Sequence, residues 1–317
     1  MLRMIVRRVG VAVITFVLAS VLIFLLVDLA PGDPAKLLAE RRFGATSTME
    51  NVAQVRAELG LDRSAPERYL SWIGHAFRGD FGSSFQNGRS VAHDLADKVG
   101  VSLILVLCAA LVALVLGVLL AGLGAWRPGG WIDRATRGVA MTGVSVPTFF
   151  LGPLLLLAFT LKAPVFPAIG ESGPPSWVLP ALTLGCGSAA IFAIVVRVLV
   201  EEAMTQQYVI TGRSVGALPG AVLVRDVLPN IAPQAVTVFL TQIGFTVLPG
   251  LTIVETIFAW PGIGDYFLRG LLFRDFPVIQ AVLLLFVVVL IVLNLVADLI
   301  QGILDPRVRR SLREGTR

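Results

Sequence analysis

Charge is scarce in this chain of 317 residues: Asp, Glu, Lys and Arg make up 15% of it, against a hydrophobic share of 56%. Soluble domains carry roughly 25% charged residues, so there is too little polar surface to cover a water-facing globule. The mean hydropathy of +0.84 agrees. Histidine is limited to His75 and His93, both in one polar stretch, so no histidine relay or Ser–His dyad can operate inside an apolar segment. No Cys or carboxylate is read at metal-ligand spacing around them, and no metal site is expected. The lysines follow Ala35, Asp97 and Leu161, so no Gly-Lys-Ser/Thr phosphate loop exists and the chain has no ATP site of that kind. The only cysteines, Cys108 and Cys186, lie in apolar runs and are read as packing residues. A soluble enzyme, a disordered chain and a secreted disulfide scaffold are excluded.

What is abundant is uncharged apolar sequence. A helix rises about 1.5 Å per residue and a hydrocarbon layer is about 30 Å thick, so roughly 20 apolar residues cross it. Uncharged runs occupy 9–27, 99–126, 138–161, 177–196, 227–254 and 276–297. They predict six transmembrane helices in an all-α polytopic membrane protein. Basic residues set the direction. Arg3, Arg7 and Arg8 precede the first run, and Arg127, Arg134 and Arg137 lie between the second and third. Arg307, Arg309, Arg310, Arg313 and Arg317 follow the sixth. The opposite short loops hold Lys162, and Arg269 with Arg274. Both termini are therefore expected in the cytoplasm. The net charge of +5 reflects this topology and not a nucleic-acid partner.

The expected organisation is a cytoplasmic N-terminus and first span over 1–29, an extracellular segment over 30–98, a five-helix core over 99–304 and a basic tail over 305–317. The first run is longer than a signal peptide's and lacks a small-x-small cleavage site, so it is read as a retained anchor. In the outer segment, Ser47 with Glu50 and Ser64 with Glu67 have capping-box spacing, and Gly60 and Gly79 sit where helices should stop. Two short helices are expected, about 48–59 and 65–78. An ordered spacer and a docking surface fit these residues equally.

Ion-driven carriers generally keep ionisable groups at mid-membrane. Here Glu255 and Asp298 fall at the ends of apolar runs, while Gln242 and Asn294 cannot titrate. Mid-membrane amides also serve as interhelical hydrogen-bond glue. The longest cytoplasmic loop, 197–235, reads as a helix, a Gly-Ala-Leu-Pro-Gly break and a second short helix ending before Pro229. Val222, Leu223 and Val227 give that second helix an apolar surface, which a solvated connector does not need and a partner surface does.

This loop resembles the EAA-type coupling loop of ATP-binding-cassette (ABC) importer permeases, in which a Gly and a later Leu-Pro pair frame a helix. Gly216 and Leu228-Pro229 have that spacing. The chain is most similar to the dipeptide/oligopeptide/nickel permeases with a long outer segment. The likeness runs through Leu29-Ala-Pro-Gly-Asp-Pro34, Leu59-Gly-Leu-Asp62, Gly79-Asp-Phe-Gly-Ser83, Val146-Pro-Thr-Phe149 and Tyr208-Val209. It continues in Val254-Glu-Thr-Ile-Phe-Ala-Trp-Pro-Gly-Ile-Gly264, Arg274-Asp-Phe-Pro277 and Leu304-Asp-Pro-Arg307. Each motif is weak alone; their order over nearly the whole chain carries the resemblance. The chain departs from the family at Gly212-Arg-Ser-Val-Gly216, where Ala-Arg-Ala-Lys-Gly is usual, and at Asp226, where His is common.

The resemblance implies a type I ABC importer permease fold. It also implies a second homologous permease subunit, two cytoplasmic ATP-binding subunits that hold the ATP and magnesium, an extracellular substrate-binding protein, and surrounding membrane lipid. This chain itself would carry no cofactor. Tyr208, Gly212, Arg213, Gly216, Leu223, Arg225, Asp226, Leu228 and Pro229 would couple to the ATPase, with Leu223 and Val227 as apolar contacts. Gln242, Glu255, Phe258, Trp260, Pro261, Gly262 and Asn294 are the pore or gate candidates, with 255–264 as an outer gate or docking segment. Short peptides are the favoured cargo, nickel chelates or another small solute the alternative. An ATP-independent carrier or channel, or an assembly scaffold, is the rival class.

Overall fold

Backbone groups at membrane depth have no water to bond, so they must close their hydrogen bonds internally. In the computed structural model they do so as helices. The structure describes residues 2–44, 47–126, 129–167, 170, 173–244 and 248–304, without the side chains of 2–5, 126, 213, 219 and 304. Arg127 and the basic tail expected over 305–317 lie outside the described residues. Among those described, β pairing is limited to an isolated bridge between Ser83 and Ser90.

The first helix, α1 (Leu2–Asp28), is followed by α2 (Pro34–Phe43), α3 (Met49–Glu58) and α4 (Ala65–Ala76). The core comprises α5 (Val91–Trp126), α6 (Trp131–Ser145), α7 (Thr148–Leu156) and α8 (Pro174–Met204). Then come α9 (Gln207–Ser214), α10 (Pro219–Val222), α11 (Leu228–Gln242), α12 (Leu248–Ile257), α13 (Ile263–Leu272) and α14 (Phe276–Leu304). Helices α3 and α4 match the two expected in the outer segment; α2 was not anticipated. Asp33 caps α2, its carboxylate accepting from the Ala35 N–H at 3.0 Å. The α3 capping box is displaced by one residue from the expected Ser47–Glu50 pair. Because the helix begins at Met49, Thr48 is the cap, and Asn51 accepts its N–H at 3.3 Å. At α4 the expected pair forms, with Glu67 accepting the Ser64 N–H at 3.1 Å.

Four helices among the described residues, α1, α5, α8 and α14, are long and apolar enough to cross a membrane. The run 138–161 is not one straight helix: α6 and α7, with the π-helical turn Leu157–Lys162 that continues α7, meet at a bend of 102°. Pro147 is the cause. It biases the preceding residue away from helix, and Val146 is extended with ψ 115°. The run 227–254 is divided between α11 and α12, with 245–247 outside the described residues. Helix α8 continues to Met204, so the loop expected from residue 197 begins at 205. Helix α5 likewise starts at Val91, inside the segment assigned to the exterior.

Helices α5 and α8 form the central pair. Small residues recur every fourth position on both: Ala109, Ala113, Gly117 and Ala121 on α5, and Gly185, Ala189 and Ala193 on α8. In lipid, helices associate through close packing more than through a hydrophobic drive, and such stripes let backbones approach. A methyl group on Gly185 would lie 2.7 Å from the Ala109 carbonyl, and one on Gly117 would lie 3.1 Å from the Ala189 carbonyl. The two helices run in the same direction, since Gly124 further along α5 meets Arg197 further along α8. At that end Asp133, almost fully buried on α6, accepts from the Gly129 N–H at 2.8 Å and from Arg197 at 3.0 Å. Helices α1 and α14 are antiparallel. Arg8 pairs with Asp298 at 3.0 Å at one end, and Val27, Asp28, Phe276 and Pro277 line one cavity at the other.

Gly185→Val should force the central pair apart, an overpacking cost of about 1–3 kcal/mol. The check is the thermal unfolding midpoint in detergent. A fall is expected for this variant and no change for Gly122→Ala, where no heavy atom lies within 4 Å.

Candidate functional site

After Met204 the chain turns into α9, whose last turn leads to Gly216. There φ is +83°, in the left-handed region that a side chain strains, and the Ala217 N–H closes back on the Gly212 carbonyl at 3.2 Å. Gly216 is thus the turn that its position implied. Beyond it the helical path does not stop before Pro229. Helix α10 passes through the π-helical turn Leu223–Val227 into α11 without a break. The Leu228 N–H reaches back to Leu223, and this wider turn admits the proline ring that would obstruct a regular α-helix.

The loop has a buried side and a bare side. Val209, Val222 and Val227 are fully buried and pack with Leu199, Val200, Ala203 and Ile231. Val227 is therefore no docking contact: it fixes the loop to the ends of α8 and α11. Leu223 and Tyr208 are half-buried against the same cluster. The most exposed apolar residues are Val215, 79% exposed, Leu218 at 75% and Val224 at 65%. Arg225, Leu228 and Pro229 are also exposed, and Asp226 is half-buried. Arg213 lies on α9, its side chain outside the description. A methyl on Gly212 would meet Val222 and Asp226 at 3.5 Å, an ordinary contact, so the departure to Gly there is not sterically required.

At the opposite end, α12 and α13 form a tight hairpin. Its polar centre is Glu255, which lies in the last turn of α12, at a helix end as expected, and is fully buried there. One carboxylate oxygen accepts from the Ser102 hydroxyl at 2.6 Å; the other accepts from the N–H groups of Gly264 at 2.7 Å and Asp265 at 3.0 Å. The Ser102 oxygen in turn accepts from the Ile263 N–H at 2.8 Å. The free donors of the first turn of α13 thus meet an anion, the partner that helix N-termini favour. Gly262 is obligatory, because a methyl there would fall 2.1 Å from the Glu255 oxygen; at Gly264 it would fall 2.5 Å from Thr252. Ala259 takes φ +47°, and the Trp260 indole N–H donates to the Val101 carbonyl at 3.2 Å.

Trp260 and Phe258 are buried in the central apolar cluster, so among these gate candidates only Pro261 is exposed. The Lys98 ammonium donates to its carbonyl at 3.5 Å. Gln242 and Asn294 are half-buried on α11 and α14, which pack together, and the Asn294 amide donates to the Leu290 carbonyl at 2.9 Å.

Several buried polar groups escaped the reading of spacing. Ser102 sits in an unbroken apolar run with no local signal to mark it. Asp275, at the other end of α13, is buried and accepts from the N–H groups of Phe85 at 3.0 Å and Gln86 at 3.2 Å. Asp94 accepts from the Tyr266 hydroxyl at 3.3 Å, and burial pushes that phenol above its usual range. His93, Asp94 and Asp97 do converge, with ligand atoms within 4.8 Å of one another, contrary to the spacing argument. Arg89 pairs with both carboxylates, at 3.3 and 3.8 Å, and supplies the countercharge a cation would otherwise bring.

Comparison with known proteins agrees with this architecture. Residues 94–310 match the family described as binding-protein-dependent transport system inner membrane component, and residues 1–106 match its N-terminal membrane-component family. The glutathione transport system permease protein GsiC of Escherichia coli K12 is 34% identical over 310 residues, 98% of this chain and 99% of that protein. The GsiC of Salmonella typhi is 34% identical over 311 residues, with coverage of 98% and 99%. A chain of the inward-facing MetNI methionine ABC transporter is similar in fold, with a TM-score of 0.57 at 19% identity, covering 67% of this chain and 96% of that one. The chain therefore belongs to the binding-protein-dependent transport system inner membrane components, as an ABC importer permease of the dipeptide/oligopeptide/nickel type.

Proposed function

We propose that this chain forms half of the translocation pathway of an ATP-driven importer of short peptides, moved by a cytoplasmic ATPase through the 205–229 loop. The observation that carries this reading is the two-sided loop: bare Val215, Leu218 and Val224 above fully buried Val209, Val222 and Val227. A surface element keyed into the ends of α8 and α11 transmits a push to both. A flexible connector would absorb it. Two ATP-binding subunits would hold the nucleotide and magnesium, a second permease subunit would complete the pathway, and an extracellular binding protein would select the cargo. Closure of the ATPase pair would draw the loops together and tilt the attached helices between inward- and outward-open states.

Six crossings with both termini cytoplasmic fit the packing. Because α5 and α8 are parallel, the bent α6–α7 pair must return the chain once between them. Helix α14 starts at the same end as α5, since Val278 and Val282 pack with Val91 and Leu95, so α11 and α12 must return it again. The α12–α13 hairpin is the outer gate element in this reading, with Glu255 as its internal brace. GsiC is named for glutathione, a peptide, which supports peptides over nickel chelates for this chain.

Gly216→Pro cannot adopt φ +83° and should abolish substrate-stimulated ATPase activity of the reconstituted complex while leaving membrane insertion intact. Val224→Asp should do the same without disturbing the fold. A complex with either change that is stimulated like wild type would refute the loop assignment. Glu255→Ala strands buried N–H groups, worth about 1–3 kcal/mol each, and should lower the thermal midpoint and cut uptake about tenfold or more. Pro261→Ala, on the exposed turn, should leave both near wild type.

A further inference from the structure

Helix α4 belongs to the segment that sequence assigns wholly to the exterior, yet it lies along the side of the membrane-spanning α1. At the top, the Arg68 guanidinium pairs with Asp28, the first charge beyond the uncharged run of α1. Lower down, the Tyr69 hydroxyl bonds Ser20 at 2.9 Å, and the rings of Tyr69 and Trp72 pack on Phe24 at 5.7 and 6.2 Å. Lowest, Phe77, just past the end of α4, packs on Phe16 with ring centroids 5.7 Å apart. Phe16 lies about three turns, roughly 18 Å, along α1 from Asp28. The hydrocarbon layer is about 30 Å thick, so that contact is well below its outer boundary. The Arg8–Asp298 pair lies at the far end of both α1 and α14.

Away from Arg68, Tyr69 and Trp72, which face α1, α4 has two faces of different chemistry, and Phe77 borders both the first of them and α1. Pro66, Leu70, Ile73 and Phe77 recur at helical spacing on one, with Leu70 65% and Phe77 75% exposed. Glu67, Ser71, His75 and Arg78 follow about a third of a turn away on the other. A helix wholly in water has no use for bare Leu and Phe in line. One wholly in lipid could not keep Glu67, His75 and Arg78 exposed. Tyr69 and Trp72 are the aromatic types enriched where apolar and aqueous layers meet.

We propose that α4 is a re-entrant element of the outer leaflet: lipid acyl chains cover Leu70 and Phe77, while Glu67, His75 and Arg78 face water. This rests on the topology proposed above, in which Asp28 is at the outer surface. The occupant is lipid because the stripe continues the apolar surface of α1, whose Val13 and Val17 are exposed on the side that carries Phe16 and Ser20.

The test uses the full-length chain in its assembled complex with Cys108 and Cys186 replaced by alanine, and single cysteines at Leu70, Phe77, Arg78 or Met49. Each is labelled with bimane and reconstituted into phosphatidylcholine vesicles with or without brominated acyl chains. Fluorescence from Leu70→Cys and Phe77→Cys should fall roughly twofold or more in brominated lipid, with little change at Arg78→Cys and Met49→Cys. Phe77 and Leu70 probes quenched no more than the Met49 probe would overturn the proposal, whether water or a protein partner covers them. In intact cells, Met49→Cys should react with a membrane-impermeant maleimide. Its failure to react would overturn the topology while leaving the quenching result to judge the contact with lipid.

Discussion

Everything in this chain is arranged around the contact between α5 and α8. Within a bilayer the surrounding lipid is as apolar as any leucine, so what holds two helices together is the closeness of their fit. The recurring small residues Ala109, Ala113, Gly117 and Ala121 against Gly185, Ala189 and Ala193 bring backbone to backbone, leaving no room for a methyl at Gly117 or Gly185. That seam sets the other helices. Gly143 of α6 and Gly250 of α12 press against Ala190 and Leu184 of α8, each at a distance a side chain would violate. The permease core is thus a small-residue spine with its neighbours wrapped on it.

The two ends of the spine are finished with buried charge, and in each case the charge is spent on the backbone. Asp133 takes the Gly129 N–H along with Arg197; Glu255 takes the first donors of α13; Asp275 takes those of the turn at Phe85 and Gln86. A buried carboxylate without partners is costly, whereas one satisfied by several fixed donors locks those donors in place. Fixed donors of this kind hold both ends of the spine in place. The loop on one side and the hairpin on the other pack against the same central helices, α5 and α8.

The membrane class, α1, α5, α8 and α14, and the outer helices α3 and α4 were legible because each is announced locally, by an uncharged run or a cap. Gly216 was legible for the same reason, since a turn of this kind needs a residue without a side chain. Less could be read where local and distant signals conflict. The apolar run 138–161 looks continuous, but Val146-Pro147 bends it by 102°. Val227 looks like an exposed apolar contact until Ile231 and Val209 close over it, and Val224, on the neighbouring face of the same turn, is left bare. Glu255 looks like a helix-end charge, because its partner Ser102 is held on another helix with nothing nearby to mark it.

By itself the sequence determined that the chain lives in a membrane, how its apolar segments divide it, and where its backbone must turn, because these follow from solvation and from conformational limits of single residues. Tertiary structure alone decided which apolar residues of the loop are bare, which carboxylates are buried, and that α4 packs along α1. Those are properties of what packs across from a residue, and burial in a protein is set by the neighbour in space, not by the neighbour in the chain.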